Sequence, residues 1–122
     1  SGRHLVYIKP EIGENRFGGE SILYRGTEQG SRKWGKLETY GGKLVENIVQ
    51  AVARDCLAAA MLRLTAAGYK IIMHIHDEVV IEAPDGECSL AEVTEIMSKN
   101  EPWETGLIKN ADGFESQYYM KD

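Results

Sequence analysis

Cysteine is scarce in this chain: Cys56 and Cys88 are the only two in 122 residues. They give neither a metal-ligand framework nor a disulfide framework, so a reducing setting is the default expectation. Cys56 falls in a helical pattern and reads as a small core residue, while Cys88 falls in a turn. Long apolar runs are missing as well. No stretch approaches the roughly 18 apolar residues of a membrane span. The polar start Ser1-Gly2-Arg3-His4 has no signal-peptide apolar region. No initiator Met opens the chain, and Ser1-Gly2 reads as a cut into a longer polypeptide or a tag scar. There is no internal repeat and no low-complexity segment. Nor is there an excess of positive charge. With 14 Lys and Arg against 19 Asp and Glu, the net charge of −5 excludes a free-standing nucleic-acid binder driven by net charge alone.

What is present fits a globular class. The chain is 43% hydrophobic and 27% charged, which argues against disorder. Its length is one domain's worth, or one piece of a larger protein. The charge is unevenly spread. Residues 1–70 carry 11 basic and 7 acidic side chains, or +4, and residues 71–122 carry 3 basic and 12 acidic, or −9. Such a contrast between halves is itself a functional hint.

The first forty residues are strand-like. His4 to Lys9 is rich in β-formers and stopped by Pro10. Residues 11–19 read as a glycine-containing loop. Ser21 to Arg25 and Lys36 to Tyr40 read as two further strands, with a polar segment holding Arg32, Lys33 and Trp34 between them. Gly41-Gly42 breaks the pattern. A long helix is expected over 43–66. At ~100° per residue, Val45, Ile48, Val49, Val52, Ala53, Cys56 and Ala60 make one apolar stripe, the expected buried face. Glu46 lies near the edge of that stripe. Lys43, Asn47, Gln50 and Arg54 form a column on the other side.

Two apolar β-rich runs follow, Lys70 to Ile75 and Val79 to Pro84, around the charged tip His76-Asp77-Glu78. This reads as a tight hairpin. Ser89 is the expected N-cap of a second, shorter helix, with Glu92 at the capping-box position. One more strand is possible near Leu107-Ile108, and the end is aromatic at Tyr118-Tyr119. The order predicts an α+β fold, with an antiparallel sheet carrying one long and one short helix.

The tip carries the chemistry. Two adjacent carboxylates repel each other, and desolvation disfavours both ionised forms. A divalent cation removes both penalties, and hard oxygen ligands suit Mg²⁺ or Mn²⁺. Taken alone, the trio reads first as a hairpin turn with solvated acids, and only second as a metal site.

Context adds to the trio. Ile75-His76-Asp77-Glu78-Val79-Val80 follows a long helix that contains Gln50 in Asn47-Ile48-Val49-Gln50-Ala51-Val52-Ala53-Arg54-Asp55. This combination resembles the C-terminal palm region of the family A, DNA polymerase I-like, DNA polymerases. The stretch Gly35 to Pro84, with its run Glu38-Thr39-Tyr40-Gly41-Gly42-Lys43-Leu44-Val45-Glu46-Asn47, looks most like the phage and prophage branch. The resemblance implies a single-domain palm fragment, 1–122, of a larger polymerase in the cytoplasm of a bacterial host. It implies that Asp77 binds catalytic Mg²⁺, with Glu78 as an auxiliary carboxylate and His76 near the primer terminus. Gln50 would donate to minor-groove acceptors, which every base pair presents, and so would check shape and not sequence. Asn47 and Arg54 would contact sugar or phosphate. Asn47 departs from the usual pattern, in which Asn sits four residues before the Gln; here that position is Glu46. Primer-template DNA, a dNTP and the rest of the polymerase are the implied partners.

Two-metal phosphoryl transfer needs a second Asp, placed so that the ions sit roughly 3.5–4 Å apart. In the family it comes from an earlier motif like Asp-Tyr-Ser-Gln-Ile-Glu, and nothing like it occurs here. The fingers helix is missing too, so no polymerase activity is expected of the chain alone. Two other readings stay open. His74-Ile75-His76 is an HxH pair of the kind found in metallohydrolases and cupins, and in an extended strand both rings would share a face. Alternatively, the acidic hairpin with Trp34 or Trp103 could dock a protein partner in a non-catalytic module, although each Trp reads first as ordinary core or edge packing.

Overall fold

The computed structural model describes residues 1–120. The order is β1 (Ile8–Glu14), β2 (Glu20–Thr27), β3 (Trp34–Thr39), α1 (Gly41–Ala66), β4 (Lys70–Ile75), β5 (Glu78–Glu82) and α2 (Leu90–Ser98), then a short 3₁₀ turn Pro102–Glu104. The class is α+β, as expected. The strands form two antiparallel sheets where one was expected: β1-β2-β3 and the hairpin β4-β5. The chain divides into two compact units, Ser1–Ala51 and Val52 onward, with the boundary inside α1.

In the first unit β1 begins four residues later than the β-rich run suggested and continues through Pro10. The pairing explains why. Ile8 faces Arg25 and Glu11 faces Leu23, so Lys9 and Pro10 together oppose Tyr24 in a β-bulge. On an edge strand, at a bulge, the missing proline N–H costs no ladder bond. Asn15 turns the chain back towards β2: its Oδ1 accepts from the N–H groups of Phe17 (2.8 Å) and Gly19 (3.0 Å). The rings of Tyr7 and Tyr24 meet edge to face at 5.0 Å.

The second unit holds the core. Leu64, Val93 and Ile96 pack together, with Tyr69, Ile71, Val79 and Ile81 against them. The C-terminal part of α1, the hairpin and α2 are thereby joined. Gly68, with φ +95°, ends α1: Tyr69 N–H donates to the Leu64 carbonyl at 3.0 Å across it, a closure that favours glycine. Arg63 reaches the end of α2, where its guanidinium donates to the carbonyls of Ile96 (3.1 Å) and Lys99 (3.0 Å) and pairs with Glu101. A cation there satisfies the orphan carbonyls of a helix C-terminus. Ser89 caps α2 as expected, its Oγ accepting from Glu92 N–H at 3.3 Å.

Two further expectations fail. Val45, Ile48, Val49, Val52 and Ala53 are exposed, and the buried residues of α1 are Leu57, Ala60 and Leu64. Periodicity gives the side of a helix that is apolar; burial needs something packed on it. Leu107-Ile108 forms no strand, because Asn100 Nδ2 takes the Leu107 carbonyl at 2.7 Å and Ile108 stands in solvent.

Candidate functional site

The hairpin tip is built by its pairing. Ile75 opposes Glu78, His74 opposes Val79 and Ile71 opposes Ile81, so only His76 and Asp77 are left to turn the chain. The half-buried Ile71, Val79 and Ile81 pack on the core of the second unit and fix the base of the hairpin. His76, Asp77 and Glu78 are all exposed. His76 has φ +53°, while Asp77 is not among the residues with positive φ. A positive φ at the first of two turn residues is the φ pattern of a type II′ turn, which favours glycine there. A histidine in that position holds local strain, of the kind that collects at functional sites.

The same turn removes the basis of the HxH reading. His76 lies outside the strand, so strand alternation no longer places it beside His74. The His74 Nδ1 instead faces Arg54 Nη1 at 3.3 Å. Arginine only donates, so Nδ1 accepts and the ring proton sits on Nε2. His74 is thus hydrogen-bonded, as a structural histidine would be, but exposed and not packed. Among the described residues no three His, Cys, Asp or Glu side chains group to hold a metal ion. Asp77 and Glu78 bring hard oxygen donors that fit Mg²⁺, which commonly takes one or two protein carboxylates and completes its shell elsewhere. These two would hold such an ion, with further ligands drawn from outside this chain.

Along α1 the predicted column separates into different environments. Gln50 is exposed, and its Nε2 donates to Glu46 Oε1 at 3.3 Å. The same oxygen accepts from Lys43 Nζ at 2.8 Å, and this bond raises the lysine pKa above its ordinary value. Glu46, which sequence reasoning left without a role, therefore orients Gln50; the spacing i, i+4 was the available signal. Asn47 is half-buried, not solvated, and its Nδ2 donates to Tyr7 Oη at 3.0 Å. Arg54 is occupied with His74, within the second unit.

Within the second unit lies a polar cluster that the sequence did not reveal. Glu104 is 3% exposed, and its Oε2 accepts from Lys109 Nζ at 2.6 Å and from Glu101 N–H at 2.5 Å. Burial opposes its ionisation, but the Cys56 thiol, Lys109 and the Glu101 amide outweigh it and hold the carboxyl down to about 2. Glu104 Oε1 itself makes no hydrogen bond. Burial, with Glu104 adding to it, pushes Cys56 up to about 11. Cys56 is accordingly a protonated, half-buried packing residue and no nucleophile at neutral pH.

The chain is similar to a DNA polymerase of Bacillus phage SP02. The two are 54% identical over 123 aligned positions, which cover the whole of this chain and 19% of that protein. The chain thus spans about a fifth of the length of this relative. No family model matches the chain, and no solved structure matches it. Among the described residues no helix is long and apolar enough to cross a membrane.

Proposed function

We propose that this chain forms part of the palm of a family A, DNA-directed DNA polymerase of phage or prophage type. One observation carries the reading. His76-Asp77-Glu78 stands on the exposed tip of a two-stranded hairpin, in a chain whose whole length is 54% identical to part of a phage DNA polymerase. A two-residue tip on a packed hairpin presents carboxylates at a fixed height with little freedom, which suits a group that must meet a metal and a primer end.

In this reading Asp77 is the metal-binding carboxylate and Glu78 an auxiliary one. Bound Mg²⁺ supplies a lowered pKa at the primer 3′-hydroxyl and neutralises charge at the α-phosphate of the incoming dNTP. Asp77 and Glu78 contribute negative charge that fixes where such an ion sits. A second aspartate comes from a segment outside this chain. His76, held in its strained turn, lies near the primer terminus. Gln50, oriented by Glu46, donates to the purine N3 and pyrimidine O2 acceptors of the primer-template minor groove. Arg54 keeps guanidinium donors beyond the one facing His74 for a sugar or phosphate contact. Asn47 serves the same DNA through the helix that it ties to Tyr7. The host cytoplasm is the place of action.

The test is a graft. The 122-residue chain replaces the matching segment of the phage SP02 polymerase, and template-directed primer extension is measured. The graft is expected to extend primers, and the isolated chain is not. A folded graft without activity, or extension by the isolated chain, would overturn the reading.

A further inference from the structure

The three-stranded sheet has a face that the polymerase reading leaves unused. Cross-strand pairing sets Ile8 beside Arg25 and Arg25 beside Lys36. Trp34, two residues before Lys36 on β3, shares that face. Ile8, Lys9, Arg25 and Trp34 line an open pocket of about 250 Å³. The indole is 62% exposed. Leaving an indole in water forfeits one of the largest hydrophobic gains a side chain offers. The bulge adds a second oddity. Lys9 has φ +48°, a conformation that L side chains rarely adopt, and it precedes Pro10. A bulge of this kind re-aims a side chain, here one that lines the pocket.

The charges fit an anion. Lys36 is paired with Glu11, which also lies within electrostatic reach of Arg25. Among the described residues no ion pair engages Lys9 or Arg25. The turn that leads into Trp34 carries Arg32 and Lys33, both exposed. An exposed indole flanked by a guanidinium and an ammonium offers one flat apolar surface and two phosphate-binding cations. Stacking on a π-face needs a base that is not already stacked in a duplex. The pocket is also smaller than the roughly 300–1,000 Å³ of a site that encloses a small molecule. Several weak contacts along a strand suit it better than one engulfed ligand.

We infer that this face is a site for single-stranded nucleic acid, with one base stacked on Trp34 and neighbouring phosphates held by Arg25 and Lys9. The site lies wholly in the first unit and needs neither Asp77 nor a metal.

The test uses the full 122-residue chain, a labelled twelve-residue oligothymidylate and an abasic deoxyribose-phosphate oligomer of the same length, followed by fluorescence anisotropy at several salt concentrations. Trp34→Leu is expected to weaken oligothymidylate binding roughly tenfold. Trp34→Phe, which keeps a π-face, should stay within about threefold of the wild type. Arg25→Gln should lower the slope of log K against log salt by about 0.7. The abasic oligomer should bind the wild type no better than oligothymidylate binds Trp34→Leu. Asp77→Ala should bind like the wild type, so this site and the polymerase reading stand or fall separately. Circular dichroism confirms that each variant is folded. No binding of oligothymidylate, equal binding of the abasic oligomer, or unchanged binding by both Trp34→Leu and Arg25→Gln would overturn the inference. Equally, capture of an acidic protein with no oligothymidylate binding would overturn it.

Discussion

Among the described residues, all five buried hydrophobics, Leu57, Ala60, Leu64, Val93 and Ile96, lie in the second unit, whereas the one buried residue of the first unit is Thr39. Even that residue is imperfectly satisfied, since Thr39 Oγ1 has no hydrogen-bond partner. The first unit is held by ladder hydrogen bonds, a tyrosine pair and the Asn47–Tyr7 bond. It leaves Val6, Phe17, Val45 and Val49 in solvent. The second unit is held by a small apolar core and a charged cluster. The difference teaches where rigidity is placed. The hairpin that carries Asp77 stands on the packed unit, while the proposed single-strand site stands on the unit with less core. Regions with few buried contacts open locally at lower free energy, which suits a surface that adapts to a strand.

That comparison can be broken by mutation, and the largest effect is expected in the core. Leu64→Ala should destabilise the second unit by about 2–5 kcal/mol, because Leu64 is fully buried. Urea unfolding followed by the near-ultraviolet signal of Trp103 checks it, and a loss under about 1 kcal/mol would mean that this core is not the one that folds. Glu104→Gln comes next, at roughly 2 kcal/mol, since it leaves Lys109 half of a buried pair. The sign with pH follows from the lowered carboxyl. Its contribution is full above the ordinary carboxylate range and disappears as pH falls towards about 2. Wild-type stability should therefore drop between about pH 4.5 and pH 2 more steeply than that of Glu104→Gln; parallel acid titrations would refute the assignment.

A smaller effect, of opposite sign, is expected at the tip. His76→Gly relieves a left-handed φ but loosens the unfolded chain, for a net gain of about 0.5 kcal/mol. Thermal melts of the two proteins check this, and a clear loss of stability would show that the His76 ring packs on something essential. The smallest effect belongs to Val49→Ala, which should change stability by no more than about 0.5 kcal/mol, as befits an exposed residue. If Val49→Ala cost as much as Leu64→Ala, the contrast between the units would fail.

The elements were more legible in the sequence than their burial. The hairpin and its tip followed from two β-rich runs around a short charged segment, and β4 falls where that pattern put it. Ser89 acts through local backbone chemistry, so the cap could be read directly. Val45 to Val52 could not be distinguished from Leu57 to Leu64, because both follow the same helical period and only tertiary contact separates them. Pro10 read as a stop because an edge position and a bulge are properties of pairing, not of a residue. The Glu104–Lys109–Cys56 cluster brings together side chains from distant segments, and no spacing rule announces it. At the site, the exposed tip was foreseeable and the i, i+4 spacing of Glu46 and Gln50 offered a signal for their bond, whereas the turn that removes His76 from its strand follows only from the strand pairing.

The most direct measurement concerns Asp77. In the phage SP02 graft, single-turnover incorporation and primer-template affinity are measured for the wild type and for Asp77→Ala. The account predicts a rate lower by on the order of 10³-fold or more, because a metal ligand that acts on developing charge is lost. Affinity should stay within about twofold and the melting curve unchanged, since the side chain is exposed on a two-residue tip. A rate within about tenfold of the wild type would contradict the assignment of Asp77 as the metal-binding carboxylate.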